Sequence, residues 1–502
     1  MRTFEIVLLT ANCLFLLASF TKLSQTVWRV GVGANLLALL VHGSVECFRY
    51  QLAFSYGFVL LLVAGTLVRA RNRVAQGSTS KALKNSALSV SFVFLVFTFL
   101  LAANMPVFTL AKPTGNYTVG VKYLHLVDEN RIDPFLSPAS RKRELMVKVY
   151  YPATQDASKP LSPYFHASTR LLRAMAAFYQ MPYFFLDHLA LVKTSCKEDL
   201  DLSDEQKNYP AVLFSHGAGA SMEVETSQSQ DLASHGYIVV DIDHTYVSAA
   251  TVFPDHIVTA QQATTNFDTP EPAEPITQIM ADDDRFVINK LVEINSGRIA
   301  PIFKGKINLD AIGVIGHSVG GAVAYNMAIN DSRIKAAINL DGAVYVVPQH
   351  TKKIAPFLML ANDRYHIQAI EKRENLMKRF DAALESQQEM LSTYGSKKVY
   401  ELQYDKAQRN IKELAKALKS SGTLYTIDGS DHMKFTDLGL FIGSQWLRER
   451  IQIGGKTNPA RCLEITQALT VAFFDHHLKG CRAEALTSAV KTYPELRKVV
   501  LK

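Results

Sequence analysis

The hydrophobic pattern of the chain changes once, near residue 112. Before that point apolar residues come in long runs, Phe4 to Phe20, Val30 to Val45, Leu52 to Val68 and Ala87 to Leu110, with almost no charge inside. Each run is near the ~20 residues with which a helix crosses a bilayer, the second being the weakest. Four in succession, with charges confined to the connections, predict a transmembrane region of about four helices over 1–112 rather than a soluble hairpin. After it the runs are short and bounded by turns. Strand-like stretches fall at 119–127, 145–151, 211–215, 237–241, 311–316, 335–340, 356–361 and 423–427, separated from the third onward by helical or mixed segments. The central ones lack period-two alternation, as strands covered on both faces do. Strand and helix in turn predict an α/β domain over 113–502 with a mostly parallel sheet.

One stretch breaks that rhythm. From Tyr365 to Ser421 the chain is rich in charges of both signs, with Leu376, Phe380, Leu384 and then Ile411, Leu414, Leu418 at helical spacing. Tyr394-Gly395-Ser396 interrupts them, which predicts two amphipathic helices. Placed between the seventh and eighth strands, this insertion (365–421) would rise over one sheet edge as a lid, or stand aside as a solvated hairpin.

Charge then orients the membrane region. The formal net charge is +8, and Arg69, Arg71, Arg73, Lys81 and Lys84, with no acid among them, occupy the third connection. Such a loop is expected on the cytoplasmic side, so the fourth span carries everything after Leu110 to the extracytoplasmic face. Lys22 and Arg29 between the first two spans also fall inside. A cleaved signal peptide at the start would reverse this arrangement, against the charge rule. The remainder shows no basic run interleaved with aromatics, which argues against nucleic acid as a partner. Five cysteines form no Cys-x-x-Cys pair and no metal spacing, so no metal or organic cofactor is expected. Cys462 and Cys481 could bridge in an exported domain, and Asn116-Tyr117-Thr118 is a glycosylation acceptor in a host that modifies exported chains.

The chemistry concentrates in one pentapeptide. Gly316-His317-Ser318-Val319-Gly320 lies between the apolar Ala311-Ile312-Gly313-Val314-Ile315 and the helix-like Gly321 to Ala328. Strand, tight turn and helix in that order are what a Gly-x-Ser-x-Gly nucleophile elbow requires. The turn strains the serine backbone, and side chains at the flanking positions would collide with strand or helix, hence Gly316 and Gly320. A base follows far downstream: Asp428-Gly429-Ser430-Asp431-His432-Met433 comes after the strand-like Thr423 to Ile427, which makes His432 the candidate. Two aspartates end successive strands, Asp341 after Lys335 to Leu340 and Asp363 after Pro356 to Asn362. Spacing favours neither as the acid. Upstream, Ala211 to Ser215 ends in His216-Gly217-Ala218-Gly219-Ala220, a Gly-rich turn in which the N–H of Ala218 would pair with that of Val319 as an oxyanion hole.

Several of these segments, in order, resemble the plasma and type II platelet-activating factor acetylhydrolases. They are Pro113 to Gly120, Arg143 to Pro152, Ser215 to Ala220, Asp231 to Val239, Asp243-His244 with Ser248 to Thr251, Ile315 to Gly321 and Gly429 to Asp437. The resemblance covers roughly Lys112 to Leu440 and implies an α/β-hydrolase fold, a Ser-His-Asp triad and no cofactor. It also implies the acid, since the family's aspartate stands in a Leu-Asp pair matching Leu340-Asp341, with Asp363 the alternative. The chain departs from the pattern in its longer 365–421 segment and in the membrane-like region ahead of the domain.

The expectation is therefore a membrane-anchored serine hydrolase of carboxylic esters, acting on short or oxidised acyl chains of a phospholipid-like substrate. The alternatives are a general carboxylesterase or acetyl/polyester esterase without lipid preference and, from another class, an inactive hydrolase-fold surface receptor. Retention of serine, histidine, acid and both oxyanion-turn glycines argues against the last.

Overall fold

A computed structural model describes residues 1–21, 23–71, 81–137, 141–265, 272–345, 354–362, 366–375, 377–420, 422–451 and 453–501. Asp363, Tyr365, Leu376, Ser421 and most of the basic loop after Arg71 lie outside the described residues. Two compact units emerge: one contains 1–109 with 181–192 and 440–448, the other 110–180, 193–439 and 449–502.

The first unit is helical. Helices α1 (Thr3–Ala18), α2 (Gln25–Glu46), α3 (Ala53–Arg71) and α4 (Lys81–Asn104) correspond to the four apolar runs. Among the described residues, three segments, Gln25–Glu46, Tyr50–Val68 and Lys84–Asn104, are long and apolar enough to cross a membrane. The first run falls short. Its helix has 16 residues, about 24 Å at 1.5 Å per residue against ~30 Å of hydrocarbon. It ends in a tightened turn, with Phe20 N–H bonded to the Leu17 carbonyl and Thr21 N–H to the Ala18 carbonyl. Leucines and valines on the outer faces, such as Leu37, Leu61, Val93 and Leu100, are exposed, while several polar side chains pair inside. The Trp28 indole donates to Thr66 Oγ1 at 2.9 Å, and buried Arg49 meets Glu5 at 2.8 Å and the Met105 carbonyl at 2.5 Å. Exposed apolar faces with an ion pair turned inward are compatible with a hydrocarbon solvent.

The second unit is built on an eleven-stranded sheet. In chain order its strands are β1 (Thr118–Ile132), β2 (Lys142–Ala153), β3 (Leu161–Pro163), β4 (Lys193–Glu198), β5 (Tyr209–Ser215), β6 (Ile238–Asp243), β9 (Ile307–His317), β10 (Ile334–Leu340), β11 (Phe357–Asn362), β12 (Gly422–Ile427) and β13 (Leu496–Val499); β7 (Ala250–Val252) and β8 (Ile257–Thr259) form a separate hairpin. The order across the sheet is β13-β12-β11-β10-β9-β5-β6-β2-β1-β4-β3. From β6 to β12 every pairing is parallel, and β2 and β13 flank that block antiparallel. This is the α/β-hydrolase fold. All eight expected strands are present.

Each central strand is buried on both faces. In β5, Ala211 and Leu213 join one apolar cluster and Val212 and Phe214 the other; in β11, Phe357 and Met359 divide in the same way from Leu358 and Leu360. This accounts for their unbroken hydrophobicity. The strands that went unanticipated are short, and β13 shows why: its four residues read buried, exposed, exposed, buried, with Arg497 and Lys498 in the middle.

The 365–421 segment is only half as expected. Its second part is one helix, Lys397–Ser420, with Leu414 and Leu418 buried in the main core. This helix is the crossover that returns the chain from β11 to β12. Its first part is not a matching amphipathic helix: Leu384 sits in a 3-10 turn and is 77% exposed, followed by the short helix Gln387–Tyr394, which ends on Gly395 at φ 73°. A second correction concerns the cysteines. Cys462 is buried near the start of the helix Pro459–Lys479, Cys481 is exposed just beyond its end, and neither forms a disulfide. Nearly twenty helical residues separate them by about 28 Å, far outside disulfide reach.

Candidate active site

Three strands of the parallel block, β9, β10 and β12, deliver the site to their carboxyl edge. The Ser318 N–H donates to the Leu340 carbonyl at 3.0 Å, and the Asp341 N–H donates to the Leu360 carbonyl at 2.8 Å. Ser318 therefore leaves β9 beside the point where Asp341 leaves β10. His432 follows β12 after the turn Asp428 to Asp431.

Ser318 adopts φ 56°, ψ −119° between β9 and the helix Val319–Asn330. A non-glycine residue in this region stores strain, and the surroundings enforce it. A side chain at Gly316 would run into the Gly320 backbone, and one at Gly320 into the carbonyls of Ser215 and His216. The two glycines let strand, turn and helix approach this closely. Ser318 is half-buried while its flanking residues are buried.

Asp341 and His432 are joined directly. His432 Nδ1 lies 2.7 Å from Asp341 Oδ2; a carboxylate only accepts, so Nδ1 carries the hydrogen and Nε2 is left as the acceptor. Burial works against the charged ring, but the hydrogen bond and charge of Asp341, helped by Asp431, raise the His432 pKa above its ordinary value. Burial likewise opposes the Asp341 charge, and His366 and His432 outweigh it, holding the carboxyl far below the usual range. The His432 side chain is 34% exposed, whereas that of Asp341 is buried. Asp341 itself has φ 57°. The next residue is Gly342, whose added side chain would strike the Ser318 carbonyl.

Ser318 and His432 are neighbours without being bonded. The ring of His317 lies 4.6 Å from that of His432, centroid to centroid, and its Nε2 meets the His432 carbonyl at 2.8 Å. Among the described residues no hydrogen bond joins Ser318 Oγ to the His432 ring. Catalytic contacts are commonly long without substrate. The turn after β5 approaches from the other side: a side chain on Gly217 would be 3.1 Å from Ser318 Cβ. Ala218 is exposed there, and among the described residues neither its N–H nor that of Val319 is engaged in a hydrogen bond. Asp363, the other candidate acid, lies outside the described residues.

Sequence reasoning missed several partners. Asn362 donates its N–H to Asp341 Oδ1 at 2.8 Å and its Nδ2 to Oδ2 at 2.7 Å, and His366 Nδ1 reaches Oδ1 at 3.1 Å. A second Ser-His-Asp set lies behind the turn after β5. Ser215 Oγ is 3.1 Å from His244 Nε2, and His244 Nδ1 is 3.0 Å from Asp283 Oδ2. Arg143 grips Asp283 with Nε at 3.1 Å and Nη2 at 2.6 Å, and Ser215 Oγ also meets Asp284 at 3.0 Å. All five side chains are buried. Burial pushes Asp284 up to about 8, and the Asp283 charge pushes in the same direction. The motif Asp243-His244 was visible in the sequence, but its tie to Asp283 spans 39 residues and left no local signal.

Fold and site together define an α/β-hydrolase with a serine on its elbow. The chain belongs to the family described as platelet-activating factor acetylhydrolase, isoform II, whose sequence model matches residues 103–271 and 276–485. A platelet-activating factor acetylhydrolase of Canis lupus familiaris is 28% identical over 268 residues, covering 48% of this chain and 56% of the relative. A probable 1-alkyl-2-acetylglycerophosphocholine esterase of Arthroderma benhamiae is 25% identical over 266 residues, covering 50% of this chain and 64% of the relative. The chain thus spans about three fifths of the length of these curated relatives. Among solved structures, a ferulic acid esterase from Streptomyces cinnamoneus superposes with TM-score 0.58 at 27% identity, over 79% of this chain and 100% of that one.

Proposed function

We propose that the chain is a membrane-anchored serine hydrolase that cleaves the short or oxidised acyl ester of a phospholipid-like substrate. The observation that carries this reading is the 2.7 Å bond from His432 to Asp341 beside a serine held at φ 56°. In this mechanism Ser318 Oγ attacks the ester carbonyl as its proton passes to His432 Nε2. The N–H groups of Ala218 and Val319 receive the developing oxyanion, and among the described residues neither has another partner to give up. The imidazolium then protonates the departing alcohol. Water, activated by the same nitrogen, releases the acid from the acyl-serine. Asp341 orients the ring and balances its charge. No step calls for a metal or an organic cofactor.

The substrate class follows from relatives whose names specify an acetyl group on a glycerophosphocholine. Anchoring follows from the three long apolar helices, with residues 1–112 as the membrane region and 113–502 as the catalytic part. The cations from Arg69 to Lys84 assign the third connection to the cytoplasm and the catalytic part to the extracytoplasmic face. This sidedness depends on α4 crossing and not on the short α1. A lid role is kept for the turns and helix between Phe380 and Tyr394. A general carboxylesterase is the second reading, favoured by the likeness to a ferulic acid esterase. Hydrolysis by the purified full chain of phosphatidylcholines carrying acetyl, short oxidised or long sn-2 chains, beside water-soluble nitrophenyl esters, separates the two. The proposal expects the short-chain phospholipids to have the highest kcat/KM; equal or better turnover of the soluble esters would favour the second reading.

A further inference from the structure

His366 holds the oxygen of the site carboxylate that His432 leaves free. Asp341 Oδ2 faces His432 Nδ1 at 2.7 Å, and Oδ1 faces His366 Nδ1 at 3.1 Å. Since a carboxylate donates nothing when ionised, both Nδ1 atoms carry the hydrogen. Asn362 completes the set with one donor to each oxygen. Four donors from three residues thus fix both the position of the carboxylate and its rotation about Cβ–Cγ. A carboxylate free to turn would let the His432 ring swing and lose its aim at Ser318, and angular errors of this kind weigh heavily on catalysis.

We infer that His366 is a positioning residue for the hydrolysis, acting through Asp341; this rests on Asp341 being the acid of the proposed mechanism. Three features support a role in orientation rather than in packing. His366 is buried, yet it opens a helix of only seven residues, His366–Lys372, on the edge of the sheet. Its ring borders a cavity of about 250 Å³ lined also by Val344, Ala369, Met377, Ile411 and Leu414. On that side it is not wedged into close-packed neighbours, so the bond to Asp341 sets its orientation and a ring of similar size can replace it. The contact also joins two different crossovers, one after β10 and one after β11, which a purely local turn would not need.

The test uses the full chain and a short-chain nitrophenyl ester, with kcat and KM measured for His366→Phe, His366→Asn, Asp341→Asn and the double variant His366→Phe/Asp341→Asn. Phenylalanine keeps the ring volume and removes the donor, and kcat should fall about tenfold, the loss of one hydrogen bond to a charged group, with KM unchanged. Asparagine returns an N–H near the place of Nδ1 and should recover most of the loss. In the Asp341→Asn background the phenylalanine should cost nothing further, because the group it acts through has gone. Wild-type kcat in His366→Phe, equal damage in His366→Asn, or a full additional loss in the double variant would each overturn the inference. A wild-type kcat in Asp341→Asn would instead remove the acid assignment, and the inference with it.

Discussion

Two Ser-His-Asp sets occupy one domain, and they differ in everything except residue type. Ser215, His244 and Asp283 are bonded end to end, locked by Arg143 and sealed from solvent. Ser318, His432 and Asp341 are bonded only between histidine and acid; the ring is 34% exposed, and the serine is strained and half-open. The closed set has no room for a substrate and no hydrogen-bonding capacity to spare. Burial holds the Asp284 pKa well above the ordinary carboxylate range. Ser215 Oγ donates to Asp284 Oδ1 and also meets His244 Nε2, whose Nδ1 closes on Asp283. Such a chain consumes every donor to stabilise the turn that carries Ala218. In the open set, the serine hydroxyl and two backbone N–H groups are left unspent. Connectivity therefore marks the scaffold, and unsatisfied, strained groups mark the chemistry.

The contrast can be broken by removing one acid at a time. Asp341→Asn should lower kcat by a factor of order 10⁴, as in the protease triad with the same substitution, while the thermal midpoint moves little. The same variant should change the pH profile. Hydrolysis needs the neutral ring, so activity rises with pH through the His432 pKa, which Asp341 holds above its ordinary value. Without that charge the pKa falls, and the acidic limb of kcat/KM should move to lower pH; no movement would separate the two residues.

Asp283→Asn should do the reverse, costing about 3 kcal/mol of stability by leaving the Arg143 charge undercompensated, measured by denaturant unfolding. Ser215→Ala comes next: two buried partners lose a bond, at roughly 1–2 kcal/mol, with turnover retained. Smallest of all, Leu384→Ala on the exposed 3-10 turn should stay within about 0.5 kcal/mol of wild type. A large loss there would mean the segment is covered in the working protein.

What the sequence made legible follows the same division. The elbow was readable because all its requirements are local: two glycines, a serine, a strand before and a helix after. The sheet was readable because burial on both faces leaves unbroken apolar runs. The acid was not, since Asp341 and Asp363 both end strands and only family resemblance separated them. His366 and Asn362 escaped because their tie to Asp341 is made by the juxtaposition of β10 and β11. The buried set escaped for the same reason, with Asp283 inside the helix Ala273–Asn295. In the N-terminal helical unit composition marked the apolar runs well but not their ends, and the first helix closes at Ala18.

The half-open serine should react and the sealed one should not. Labelling with an active-site fluorophosphonate measures this directly on wild type, Ser318→Ala and Ser215→Ala, each checked for folding. Adducts are expected on wild type and Ser215→Ala and none on Ser318→Ala. Labelling of Ser318→Ala at the wild-type level, or its loss from a folded Ser215→Ala, would contradict that expectation.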